Sequence, residues 1–179
     1  MSAVMDTRVK VTQATLPTRE ETQAKLDRRS AVASKYRASS AFTLTDLLER
    51  QAQQFGSRPL LRFGDRVLSY SEVDALANRM AHVLHEQGIR RGHVVGLAME
   101  NRPEFFVAWF GIAKLGAVAA FLNTHIGGRA LAHALKATDA RCVVVGDECL
   151  AAFASPEVDP QGLTLWRMRD TELNAAVPA

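Results

Sequence analysis

Between Phe105 and Leu122 one charge, Lys114, interrupts an otherwise apolar run. What that run becomes decides what the whole chain can be. A helix crossing a bilayer needs about 20 largely apolar residues, so length alone nearly permits a span. Lys114 argues against it, because a charge at the centre of a span costs about 2.5–3.5 kcal/mol on insertion scales. Pro103-Glu104 also reads as a helix start, with proline at the first helical position and an acid in the first turn. Lys114-Leu115-Gly116 reads as a helix end, a cation in the last turn followed by glycine for a left-handed position. The remaining Ala117–Leu122 is short and apolar, as expected of a strand buried on both faces. The run is therefore read as helix, turn and strand inside a soluble core.

The rest of the chain is consistent with that choice. Of its 179 residues 47% are apolar and 23% charged, a globular composition for about one domain. Residues 1–20 carry Asp6, Arg8, Lys10 and Arg19 and no apolar signal-peptide core. The two cysteines, Cys142 and Cys149, make neither a disulfide framework nor a metal motif. A cytoplasmic, reducing setting is the expectation. Residues 1–40 hold eight Lys/Arg against four Asp/Glu, whereas residues 41–179 hold 14 against 15. The near-neutral remainder gives no electrostatic reason to expect nucleic acid. Within the basic leader, Arg19–Arg37 has helical composition but no broad apolar stripe, so a solvated arm is expected. Peripheral contact with anionic membrane is its alternative role.

From residue 41 onward the punctuation is regular. Leu44, Leu47, Leu48, Ala52 and Phe55 recur at helical spacing after Thr43 and before Gly56. Leu60–Phe63 and Arg66–Leu68 flank Gly64-Asp65 as a hairpin. Ser69 and Glu72 form a capping box for a helix with Val73, Leu76, Ala77, Met80, Val83 and Leu84 inward, closed by Gly88. Strands are expected at His93–Met99, Ala117–Leu122, Arg141–Val145 and Leu163–Met168. A helix after Gly127-Gly128 should turn Leu131, Ala134 and Leu135 inward. Strand and helix alternate, and the strands are too apolar to face water, which predicts an α/β fold with a mostly parallel sheet flanked by helices. The organisation expected is a weakly structured leader (1–40), an α/β part (41–155) and a continuation (156–179).

Candidate chemistry is sparse. His82 and His85 share a helix face but lack a third ligand at metal-site spacing, so an exposed pair is expected. Gly127-Gly128 could cradle an anion at a helix N-terminus, yet lacks a nucleotide-binding glycine fingerprint and reads as a turn. Asn123-Thr124-His125 follows a parallel strand, at the sheet edge where ligands bind in such folds. These three are the candidate site-lining residues. Glu100-Asn101 occupies the equivalent place after the preceding strand. No residue of the chain stands out as catalytic, cofactor-binding or metal-ligating.

The order of the pieces is nevertheless specific. Tyr70-Ser71-Glu72-Val73, Ala77-Asn78-Arg79, Gly88 with Gly92-His93, Asn101-Arg102-Pro103-Glu104-Phe105, Lys114-Leu115-Gly116-Ala117-Val118 and Leu122-Asn123 follow one another. Over roughly residues 41–150 the chain resembles the N-terminal part of the adenylate-forming acyl-CoA synthetase superfamily. Asn123-Thr124 and Leu131-Ala132-His133 resemble its fatty-acid transport protein and very-long-chain acyl-CoA synthetase branch. His125 and Gly127 depart from that branch, which favours Asn and Arg there. The resemblance implies an incomplete N-terminal subdomain of such an enzyme. In the whole enzyme it implies ATP, Mg and CoA as cofactors and a fatty acid as substrate, with an acyl-adenylate formed before the thioester. The family's Ser/Thr/Gly-rich phosphate loop and later catalytic motifs do not occur in residues 1–179, so no such residue is carried over. This chain alone is expected to bind none of these cofactors and to be inactive. Its expected partner is the rest of a synthetase chain or a paralogue, and oligomers are possible partners too. The alternative is a non-catalytic dimerisation or regulatory module.

Overall fold

The computed structural model describes residues 17–35, 37, 42–140, 142–159 and 162–169. It divides into two units, residues 1–41 and 42–179. In the first, α1 (Arg19–Ala33) is capped by Thr18, whose hydroxyl accepts from the Glu21 amide while the Glu21 carboxylate accepts from the Thr18 amide. None of its residues is buried, as the missing apolar stripe requires.

The second unit begins with α2 (Leu44–Phe55), capped reciprocally by Thr43 and Asp46. Strands β1 (Pro59–Phe63) and β2 (Arg66–Ser69) pair antiparallel around Gly64-Asp65. The Ser69–Glu72 capping box then opens α3 (Tyr70–Glu86) directly. Strand β3 (Val94–Ala98), α4 (Pro103–Lys114), β4 (Val118–Phe121), α5 (Gly128–Thr138) and β5 (Cys142–Gly146) alternate. A 3-10 turn (Asp147–Cys149), the short α6 (Leu150–Phe153) and β6 (Thr164–Met168) follow. The sheet is wholly parallel, in the order β4-β3-β5-β6. The expected α/β class with a parallel sheet flanked by helices is what the chain forms.

Strand periodicity divides the core between the two faces of the sheet. Val95, Leu97 and Met99, with Cys142 and Val144, pack against Leu84 of α3 and Ala108 and Ile112 of α4. Ala98, Val143 and Val145 pack instead with Leu131 and Leu135 of α5. A third cluster, Leu48, Val73, Ala77 and Phe110, joins α2, α3 and α4 to the hairpin. Each fully buried aliphatic contributes about 1.5–3 kcal/mol. Helices α3 and α4 approach closely at Gly111, where a Cβ would lie 2.6 Å from Met80 Cγ.

The apolar run resolves as helix, turn and strand. Gly116 takes φ +67 after the last turn of α4. Among the described residues, no helix is long and apolar enough to cross a membrane. Two expectations need correction. Val83 is 44% exposed, and Ala81 is the residue of that stretch that turns inward; Val83 lies on the outer rim of α3. Strand β4 is not buried on both faces, since it stands at the sheet edge with Val118 and Phe121 more than half exposed. Only β3 flanks it, and its other side lies open among the described residues.

Candidate functional site

All four parallel strands end on one edge of the sheet, so the segments after them share that edge. From β3 the chain passes to β4 on one side, and from β5 to β6 on the other. The order therefore switches between β3 and β5, the crevice where open α/β sheets bind ligands.

In this chain that crevice is spanned by its own charged groups. Glu148, after β5, accepts a 2.9 Å hydrogen bond from the Glu100 amide after β3. The same oxygen lies 3.5 Å from Arg102 Nε. Arg102, buried with 7% of its side chain exposed, donates from Nη2 to the Met168 carbonyl at 2.8 Å. Its Nη1 stands 3.6 Å from Glu104 Oε2. Glu104 is fully buried in the first turn of α4, and its Oε1 accepts from Arg66 Nη2 at 2.7 Å. One guanidinium thus gathers the ends of β3, β5 and β6, and Glu104 fastens β2 to α4. Asp147 pairs with Arg167. The hydrogen bond from Arg167, reinforced by the Arg167, Arg169 and Arg102 charges, holds Asp147 below the usual aspartate range. The arrangement fixes loop positions; it places no nucleophile beside a base.

The sequence candidates lie around this network without joining it. Asn123, Thr124 and His125 follow edge strand β4, on the far side of β3 from the switch. The His125 amide donates to Asn123 Oδ1 at 2.9 Å, a local turn that leaves both residues exposed and Thr124 half-buried. Asn101 lines a depression of about 250 Å³ with Arg62, Phe63, Arg102 and Phe106. At Gly127-Gly128 the chain turns into α5, and a Cβ on Gly128 would lie 3.6 Å from Glu157 Oε2. A carboxylate of the chain itself therefore stands beside that helix start. The Ser155 hydroxyl keeps Glu157 below the usual glutamate range. His82 and His85 are both exposed, and among the described residues no three potential metal ligands converge. Burial pushes the Cys142 thiol up to about 11, an inert core thiol.

Two larger depressions, about 620 and 560 Å³, lie towards the opposite edge, near Asp139 and Gly162. Lys114 does end α4, but it is also nearly buried between Glu49 of α2 and Asp74 of α3, 2.9 Å from Asp74 Oδ1. Sequence reasoning took Arg102 and Glu104 only as parts of a motif and a helix start, and gave Glu148 and Arg66 no role in the site. Only the buried-helix-start position of Glu104 signalled any of them.

Comparison with known proteins agrees with this architecture. Residues 48–175 match the family model for the AMP-binding enzyme. The chain is 34% identical over 133 residues to the human "Long-chain fatty acid transport protein 6", covering 72% of this chain and 21% of that protein. It is 36% identical over 118 residues to "Medium/long-chain-fatty-acid--CoA ligase FadD6" of Mycobacterium tuberculosis, covering 66% of this chain and 20% of that one. Among solved structures, the N-terminal domain of FACL13 from Mycobacterium tuberculosis superposes with a TM-score of 0.65 at 28% identity. That match covers 75% of this chain and 36% of the other. The chain spans about a fifth of the length of the curated relatives it matches. The switched parallel sheet and a family match over most of its length establish that the chain belongs to the AMP-binding enzyme family.

Proposed function

We propose that the chain is the N-terminal segment of an ATP-dependent ligase that joins long- or very-long-chain fatty acids to CoA. The observation that carries this reading is the 36% identity to a medium/long-chain-fatty-acid–CoA ligase, with a fatty acid transport protein beside it. In the whole enzyme the fatty acid carboxylate attacks the α-phosphorus of ATP, releasing pyrophosphate and forming the acyl-adenylate. The CoA thiol then displaces AMP to give the thioester. Mg would offset the phosphate charge in the first step.

The described residues supply scaffold rather than chemistry. Arg102, Glu104 and Glu148 fix the ends of three strands, and Asn123, Thr124 and His125 are offered at the same edge for a substrate tunnel built by the rest of the enzyme. The reading is of a cytoplasmic enzyme whose basic leader is a solvated arm, with peripheral contact with anionic membrane as its alternative role. A non-catalytic dimerisation role is a second reading, favoured by the open edge strand β4.

The test is a graft. Residues 42–169 replace the matching first part of a FadD6-type ligase, and acyl-CoA formation is assayed with fatty acids of graded length. A functional graft that activates long-chain acids supports the reading. A folded graft that forms no acyl-CoA with any of these acids contradicts it.

A further inference from the structure

The helices that share the Leu48 cluster are held very unequally. Helix α3 buries Val73, Leu76, Ala77, Ala81 and Leu84, and α4 buries Val107, Ala108, Phe110 and Ile112 among others. Helix α2 buries only Thr45 and Leu48. Leu48 is seated on Val73 and Ala77 of α3 and on Phe110 of α4, while Leu44 and Leu47 are 40% and 36% exposed. Proteins open locally where few buried apolar contacts hold an element, which singles out α2.

The two ends of α2 differ. Just past its C-terminal end the Gly56 carbonyl accepts from the Ser71 amide and the Arg58 carbonyl from the Tyr70 amide, both at 3.0 Å. The chain there is fastened to the start of α3. A Cβ on Gly56 would lie 2.3 Å from Ser71 Oγ, so this close approach requires the glycine. At the other end the Thr43–Asp46 box closes on α2 itself and ties it to neither α3 nor α4.

Between the ends stands one ion cluster. Lys114 of α4, with 7% of its side chain exposed, pairs with Glu49 of α2 and with Asp74 of α3. Two carboxylates on one ammonium make the Glu49 contact separable. When α2 lifts away, Asp74 stays 2.9 Å from Nζ and keeps the nearly buried cation paired. Glu49, already 49% exposed, passes into water. No bare charge is left inside, so the large cost of breaking a buried pair does not arise.

We propose that α2 is a strap that opens as a unit about Gly56, before the sheet unfolds, with the Glu49–Lys114 pair as its latch. Opening uncovers the apolar seat on Val73, Ala77 and Phe110. Because Glu49 stands half in water, dissolved ions screen the latch, and the open fraction rises with ionic strength.

Hydrogen exchange read by mass spectrometry on the full 179-residue chain tests this. Amides of α2 should exchange faster than those of β3 and β5, and faster still as sodium chloride is raised. Glu49→Gln, at a half-exposed position, should speed exchange in α2 about fivefold and leave β3 and β5 unchanged. Added to Lys114→Met, Glu49→Gln should have no further effect, which separates the latch from any change in helix propensity. Three results would each overturn the proposal: α2 exchanging together with β3 and β5 in one global event; Glu49→Gln leaving α2 unchanged; or Glu49→Gln accelerating α2 equally with and without Lys114→Met.

Discussion

Arg102 Nη2 donates a 2.8 Å hydrogen bond to the Met168 carbonyl, tying the loop after β3 to the end of a strand two places away in the sheet. The same guanidinium faces Glu148 and the fully buried Glu104. Removing it would leave the buried Glu104 carboxylate paired with Arg66 alone among the described residues. Breaking a buried pair by deleting one member costs about 3–5 kcal/mol. Arg102→Ala should therefore destabilise the second unit by about 3 kcal/mol in urea unfolding. A change below about 1 kcal/mol, within the range of exposed pairs, would show that the cluster does not hold the strand ends.

Gly116 ends α4 at φ +67, a conformation that β-branched residues resist. Gly116→Val should cost more than about 1 kcal/mol, and Gly116→Asn clearly less, since Asn tolerates the left-handed region. Equal losses in chemical denaturation would place the cost in packing against Arg91 rather than in the backbone.

Capping makes stability depend on acid. The Ser69 amide and hydroxyl hold Glu72 below its ordinary value of 4.5, and the Thr43 hydroxyl and amide hold Asp46 below 3.8. A lowered folded-state pKa adds stability above the unfolded value and loses it as pH falls through the folded one. Stability should fall as pH drops below about 4.5, with Glu72→Gln flattening the upper part of that fall. An unchanged pH profile in the variant would remove Glu72 from the account. Both side chains are exposed, so the effect is modest.

How much of this could be read from the sequence depends on how local each cause is. The capping box at Ser69 and Glu72, the glycine after Lys114 and the Val-rich strands act within a few residues, and each was legible. The reciprocal boxes at Thr18 and Thr43 carry the same signal, only half noticed at Thr43. Val83 misled because its spacing suits the helix face while its position lies on the rim. The edge location of β4 was invisible, since an apolar strand does not say how many neighbours it has. The Arg102 network was invisible for a related reason. Its partners stand 66, 48 and 38 residues apart in sequence, and the two longer pairs meet because β5 and β6 line up beside β3. Asn123, Thr124 and His125 were legible as a strand end, but nothing local told which side of the switch they would occupy.

The most direct measurement of the central claim is fatty-acid-dependent exchange of labelled pyrophosphate into ATP. Adenylation needs oriented donors on the phosphates as charge develops, and residues 1–179 carry no phosphate loop of the family's kind. The purified chain alone should be silent. Co-expressed with the downstream remainder of a FadD6-type ligase, it should restore exchange with long-chain acids. Turnover by the purified chain alone, with contaminating ligase excluded, would contradict the account; so would a folded, stably associated pair that exchanges nothing.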